Sequence, residues 1–364
     1  MVLWYYITVC ILSFACCIIY YWKMRSSYSV HYTLVFILAF MSHFCYVWLA
    51  LAQNIREAVI INKFLYVGGC YFGLVGLILI FSICKINLPK WVRFIMFLFS
   101  SFVYVSVLTS GYLPLFYKSV DLKFENGVAV LVKEYGPLHN VFLVQVALYL
   151  LATIFALVYG WFKRPDISRK NLLIGAFMQI FSIFAFFVGR AINNQIEWMA
   201  LADLVDEIGF LIIMDRIVLY RVDDMVSSSI LKEGKIGYVS LDSKRRFLSA
   251  TDIAKRFLPD IAGSRADKEI ENEELKKLLN SWIDDFTRER VSKTHIYRNG
   301  EYIFAVRVGN LYDGKRKRGY LLEISDDTAH QQHLEGIERI NKNLNNELTA
   351  KTKLIQELRK NSEK

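Results

Sequence analysis

Seven stretches of about 20 mainly apolar residues dominate the first 220 positions: Val2–Trp22, Tyr32–Leu51, Phe64–Cys84, Val92–Leu108, Val141–Phe162, Asn171–Ala191 and Met199–Tyr220. A helix of that length crosses roughly 30 Å of hydrocarbon, so each is read as a transmembrane helix. The chain of 364 residues is 54% hydrophobic and 15% aromatic, and nearly all of the excess lies before residue 220. Beyond it the sequence is highly charged and alternating, so two modules are expected, joined near Arg221. The first span has no basic leader and no small-residue cleavage site, which argues against a cleaved signal peptide and makes it helix one.

Lysine and arginine in the short loops set the orientation. Lys23 with Arg25, then Lys85, Lys90 and Arg93, then Lys163, Arg164, Arg169 and Lys170 mark three cytoplasmic loops. The intervening loops are poorer in net positive charge, with Arg56 and Lys63 offset by Glu57, and Arg190 followed by Glu197. The N-terminus is therefore expected outside, and seven spans carry Arg221 and all that follows into the cytoplasm. Pro89, Pro114, Pro137 and Pro165 fall in loops or at span ends. The net charge of +10 gathers beside the spans, where anionic headgroups attract it, so the lipid bilayer and not nucleic acid is the expected partner. All six cysteines lie in or beside apolar stretches, which fits small packing residues and gives neither a disulfide framework nor a zinc site.

One external connection is long, residues 111–138, and apolar residues alternate on both sides of Asn126-Gly127. That pattern predicts a β-hairpin lying as a lid over the outer end of the bundle. "LPLFYKS" at Leu113–Ser119 followed by "VAVLVKEYGPLHNVF" at Val128–Phe142 resembles the hairpin between helices four and five of the bacterial histidine-kinase N-terminal seven-transmembrane sensor family. The resemblance covers residues 1–222. It implies a multi-pass sensor in the bacterial inner membrane whose output is carried by the cytoplasmic module that follows.

The seventh span carries Asp203, Asp206 and Glu207. A membrane boundary after Glu207 would leave only Ile208–Val222, about 22 Å of helix, to span the core. An acid at mid-bilayer costs on the order of 2.5–3.5 kcal/mol, so these side chains are expected to face the bundle interior or a wet cavity. Asp203 and Glu207, four residues apart, share a helical face with Asp206 beside it, and Arg190 is a counter-charge across the short loop. Two readings follow: an outward-opening pocket for a cationic or hydrogen-bonding ligand or protons, or a structural ion-pair cluster. His43 and Arg93 read as a buried hydrogen-bonding residue and a snorkelling one.

After a linker at 223–235, "DDMVSSSILKEGK", the order of elements is strand, strand, helices and a three-strand meander. "IGYVSLD" and "RRFLSAT" are the first strands, "DIAKRFLPDI" and "ENEELKKLLNSWIDDFTRER" the helices, and Leu275, Leu279, Trp282 and Phe286 form one helical face. Asn299-Gly300 and Asp313–Gly319 are the meander's turns. Residues 236–328 resemble a PAS domain, with Asp326-Asp327-Thr328 matching the Asp-x-Thr that ends the last PAS strand. Either Asp327 or Thr328 is placed to cap the helix that follows. PAS domains can hold haem or flavin. Here there is no cysteine for a flavin adduct, and His295 sits in a strand pattern, so no cofactor is assigned. Lys315–Arg318 reads as a solvated turn.

In the last segment, 329–364, apolar residues recur at heptad spacing: Leu334, Ile337, Leu344, Leu348, Ile355 and Leu358, with Asn341 and Lys351 in the remaining seam positions. A buried Asn at an a-type site favours a parallel two-stranded coil and fixes its register. A homodimer through a weak coiled coil is one expectation, and a single amphipathic helix packed on its own domain is the other. The expected fold class is thus an α-helical seven-transmembrane bundle, an α+β PAS-like domain and a C-terminal coiled-coil helix.

Relatives of such an architecture end in a diguanylate cyclase, a cyclic-dinucleotide phosphodiesterase or a histidine kinase. The sequence holds no GGDEF-like run, no HD doublet with a downstream GYP, no phosphorylatable histidine box around His333 and no glycine-rich ATP lid. The chain is accordingly expected to be a sensor for a small extracytoplasmic ligand and not an enzyme. Its output would come from a partner in trans or from a catalytic domain lost by truncation. A proton-coupled transporter is the alternative of another class, and no inverted repeat or broken helix favours it.

Overall fold

The computed structural model describes residues 1–23, 30–125, 127–165, 167–189, 192, 196–217, 236–289, 292–313 and 316–362. Asn126, Arg190, Arg221, the linker 223–235, Lys315 and the last three residues of the expected seventh span lie outside them. The chain divides into two compact units, one within Met1–Tyr220 and one built from Arg221–Ser264 and Lys268–Lys364.

In the first unit six helices are long and apolar enough to cross a membrane: α1 (Val2–Lys23), α2 (Val30–Ala50), α3 (Ile55–Ile83), α4 (Lys90–Leu108), α5 (His139–Lys163) and α6 (Arg169–Phe184), the last prolonged by a π-helical turn, Ala185–Gly189. The seventh helix, α7 (Trp198–Ile217), has 20 residues but carries Asp203, Asp206, Glu207, Asp215 and Arg216. It packs against α1, α2 and α6, while α3 lies against α2, α4 and α5. Two boundaries differ from the hydropathy reading. The third helix begins at Ile55, nine residues before Phe64. Asn54 Oδ1 accepts from Glu57 N at 3.0 Å, and Glu57 Oε2 accepts from Gln53 N at 3.0 Å. This capping arrangement starts the helix in polar sequence that an apolar window rejects. The sixth helix leaves α geometry at Ala185, a change that no sequence period announces.

The expected hairpin forms as β1 (Tyr117–Glu125) and β2 (Val128–Tyr135), antiparallel from Glu125↔Val128 to Tyr117↔Tyr135. Gly127, at φ +76°, supplies the left-handed backbone that the two-residue turn needs. Ala129 and Leu131 are buried in a cluster with Cys45, Ala58, Ile61 and Leu65 of α2 and α3. Phe116 and Tyr117 are buried against Cys70, Val103 and Val107 of α3 and α4. The hairpin is therefore packed onto the bundle by its own apolar face.

The second unit is a five-stranded antiparallel sheet in the order β4-β3-β7-β6-β5, from β3 (Ile236–Asp242), β4 (Phe247–Ala250), β5 (Thr294–Asn299), β6 (Tyr302–Asp313) and β7 (Arg316–Asp326). Between β4 and β5 lie α8 (Asp252–Phe257), a 3-10 turn at Pro259–Ile261 and α9 (Glu273–Glu289). Thr251 Oγ1 starts α8 by accepting from Ala254 N, and it also accepts from Tyr238 N of β3. Asn272 Oδ1 caps α9. The helix α9 buries Leu275, Leu279, Trp282 and Ile283 among Val306, Val308 and Leu322, with Phe286 half-buried beside them. His295 stacks on Trp282, with ring centroids 5.6 Å apart, which gives it a packing role.

The final helix, α10 (Thr328–Ser362), is rooted at β6. Asp327 N donates to Ile303 O at 2.9 Å, Thr328 Oγ1 accepts from Ile303 N at 2.9 Å, and Asp327 O accepts from Gln331 N. Asp327 is thus the helix's capping position, while the Thr328 hydroxyl ties its first residue to the sheet. Asp326 Oδ1 accepts from Thr328 N at 3.0 Å and completes the junction. Along α10, Leu334, Ile337, Leu344, Leu348 and Ile355 are 40–62% exposed. Asn341 is exposed as well, so the heptad face lies in the open within this single chain.

Candidate functional site

The three acids of α7 do not act as one group. Asp203 and Asp206, three residues apart, line a cavity of about 510 Å³ inside the first unit, together with Phe210 one turn on. Glu207 turns the other way. It is fully buried, outside the cavity lining, in the seam that α7 makes with α1 and α2. The expectation that Glu207 shares a pocket with Asp203 and Asp206 is thereby corrected. One residue advances a helix by about 100°, and α7 is wedged between neighbours closely enough for that step to pass from a cavity wall into a packed seam. Glu207 Oε2 lies 3.9 Å from His43 Nδ1, and His43 Nε2 donates to Ala200 O at 2.8 Å. Neither Glu207 oxygen nor His43 Nδ1 has a hydrogen-bond partner among the described residues.

The cavity is bounded on its hairpin side by Val128, Ala129, Val130, Leu131, Lys133 and Tyr135 of β2, and by residues of α2, α3, α5, α6 and α7. Its wall is mostly apolar and aromatic, including Tyr46, Tyr66, Phe72, Phe142 and Phe186, with a few convergent polar groups. That composition and size suit a small organic molecule. Ser182 of α6 hydrogen-bonds to Asp206, whose Oδ1 has no hydrogen-bond partner among the described residues. Gln145 of α5 is 1% exposed. Its Nε2 donates to Cys70 O at 2.7 Å and to Ser100 Oγ at 3.0 Å, while Oε1 lacks a partner. Ser100 in turn meets Tyr149 Oη at 2.9 Å, and that hydroxyl lies 3.0 Å from Met96 O, so the amide is held by a network spanning three helices.

Near the hairpin, Tyr117 Oη donates to Tyr66 Oη at 2.9 Å, and Lys133 Nζ sits 5.6 and 5.9 Å from the Tyr117 and Tyr66 rings. The loop before α7 is held from α1: Tyr6 Oη accepts from Glu197 N at 3.0 Å, and Tyr5 Oη donates to Glu197 O at 3.2 Å. Of the four residues singled out from sequence, two meet in the cavity, Glu207 stands apart, and Arg190 lies outside the described residues. Gln145, Glu197 and Lys133 were not singled out. Gln145 carries a signal that points to it, because a lone amide inside an apolar span has to find a partner or a cavity.

No group of three or more His, Cys, Asp or Glu side chains among the described residues is placed to hold a metal ion. The family model for the N-terminal 7TM region of histidine kinase matches residues 5–213, which contain the bundle, the hairpin and the cavity. No curated protein matches the chain.

Proposed function

This chain belongs to the family of N-terminal 7TM regions of histidine kinases, and from that premise we propose that it is a membrane receptor in which occupancy of the cavity beneath the hairpin sets the state of α10. Its multi-pass membrane character follows from the family and from the six apolar helices. In the proposed topology α7 is a seventh span, the N-terminus faces outward across a bacterial inner membrane, and the second unit is cytoplasmic. The lysine and arginine content of the loops supports that orientation. For the second unit a PAS-like relay is the reading favoured by the sheet order, with the first strand flanked by the second and the last, and by the Asp326-Asp327-Thr328 junction. The open heptad face of α10 supports a homodimer through that helix. We assign the 364 residues sensing and relay, with enzymatic output supplied by another domain or a partner.

The observation that carries this reading is the cavity itself, lined on one side by the packed hairpin and on another by carboxylates of α7. A ligand that prefers one packing of α7 by a few kcal/mol suffices to shift a two-state bundle. The test is disulfide cross-linking of Leu348→Cys in a cysteine-free chain in native membranes. Asp203→Asn and Asp206→Asn are expected to change the cross-linked fraction several-fold without lowering the amount of inserted protein. An unchanged fraction in both variants would remove the cavity from the signalling path, and proton or solute flux in proteoliposomes would replace the receptor with a transporter.

A further inference from the structure

Among the described residues, the cavity wall leaves acceptors and not donors unpaired. Of the buried side-chain atoms that lack a hydrogen-bond partner among the described residues, two belong to cavity-lining residues, Gln145 Oε1 and Asp206 Oδ1, and both are acceptors. The orientation of Gln145 is fixed chemically: only an N–H can face the Cys70 carbonyl 2.7 Å away, so the oxygen must point elsewhere. These atoms come from different helices, α5 and α7, so the imbalance belongs to the site and not to one element. Charge runs in the same direction. Among the described residues, Asp203, Asp206 and Glu197 line the cavity together with one lysine, Lys133 on the hairpin, and the imidazole of His139. No described cation is within ion-pair distance of Asp203 or Asp206. Buried acceptors left unpaired are costly, and a carboxylate in such a place is best offset by a cation that also donates.

We propose that the cavity takes a protonated amine carried on an apolar, preferably aromatic, body, its ammonium bonded by Asp203 and Asp206 and within the reach of Gln145. The aromatic wall accommodates the body, and ring faces such as Tyr46 and Tyr66 add cation–π attraction. Anionic ligands are disfavoured by the carboxylates, and neutral alcohols satisfy one acceptor but leave the charge unmatched. This inference rests on the cavity being the sensory site and adds the chemical class of what it senses.

The test uses the full chain in lipid nanodiscs with three probes of similar shape: 2-phenylethylammonium, 2-phenylethanol and 3-phenylpropanoate. Empty nanodiscs provide the partitioning blank. Gly73→Leu provides a filled-cavity control, because Gly73 lines the cavity and a Cβ there meets nothing closer than 3.7 Å. The expected result is saturable ammonium binding at least tenfold tighter than that of the alcohol, no saturable carboxylate binding, and loss of all specific binding in Gly73→Leu. Asp203→Asn and Asp206→Asn should each weaken the ammonium at least tenfold while leaving the alcohol within twofold, which also reports that the variant is folded. Gln145→Leu should weaken the ammonium by a smaller factor. Equal binding of all three probes, abolished by Gly73→Leu, overturns the ligand class and leaves the site standing. No probe binding that responds to Gly73→Leu overturns both.

Discussion

The two units differ in how many buried polar groups they leave unpaired, and of what kind. In the bundle, Gln145, Asp206, Glu207, His43 and Asn62 each keep an atom inside with no partner among the described residues. The α+β unit leaves fewer such atoms among its described residues, Ser264 Oγ and Asn310 Oδ1; its buried Ser240 and Thr251 serve strand pairing and a helix cap, and its core cluster is apolar from Val239 to Ile324. An interior with unmet hydrogen-bonding capacity is prepared for something that arrives from outside. An interior with an apolar core, such as that of the α+β unit, has less of it to offer. The bundle and the α+β unit thus differ in where each leaves its polar groups.

The sharpest way to separate the two is to destroy one. A Cβ at Gly319 of β7 would lie 2.0 Å from Leu241 O and 2.9 Å from the Asp242 backbone, atoms that a strand pairing fixes. Gly319→Val should abolish folding of the α+β unit, seen as rapid tryptic loss of that unit from membranes while the bundle fragment survives. Equal loss of both would show that the bundle depends on the α+β unit. Next in size, Trp282→Ala removes the largest side chain of α9 from the core and should cost about 3–5 kcal/mol, read as faster amide exchange in β5 and β6 with probe binding unchanged.

In the bundle the sign reverses. Glu207→Met deletes an acid whose two oxygens have no hydrogen-bond partner among the described residues and should stabilise the bundle by about 1–3 kcal/mol, seen as a higher melting midpoint in nanodiscs. A lower midpoint would mean that Glu207 is paired, and the contrast between the units would weaken. The smallest effect belongs to the α+β surface, where Arg298 of β5 holds the Glu335 carboxyl of α10 below its ordinary 4.5 through a 2.8 Å contact. A folded-state pKa that is lowered contributes stability fully present above the ordinary value, lost as pH falls through the depressed one. Amide protection in the first turns of α10 should therefore decline slightly in acid, and Glu335→Gln should remove that dependence.

Much of this architecture is legible in the sequence because hydropathy and period report burial locally. The six apolar helices, the hairpin around Gly127 and the order of the five strands were readable in that way, but the turn expected at Asp313–Gly319 was not: β6 reaches Asp313 and β7 begins at Arg316, because backbone pairing carries the charged residues Arg316–Arg318 into the ladder. What was hidden depends on rotation and on distant partners. Nothing local tells that Glu207 turns into the seam beside His43, 164 residues away in sequence, while Asp206 faces the cavity. Likewise Gln145 becomes an aimed acceptor because Cys70 O, 75 residues away, claims its amide hydrogens. The early start of α3 was readable in principle, since Asn54 and Glu57 have capping-box spacing, but a charge-averse window passes over Arg56, Glu57 and Lys63.

The root of α10 also fixes a mechanical ratio. One residue, Ile303, holds the junction from both sides, accepting from Asp327 N and donating to Thr328 Oγ1. Thirty-five residues of helix extend from that pivot, an arm of about 52 Å, so a tilt of about 5° at the sheet carries the far end through about 4.5 Å. A displacement near one helical pitch at the tip therefore asks for only a small rotation between Asp326 and Thr328. The sheet acts as the bearing of a long lever.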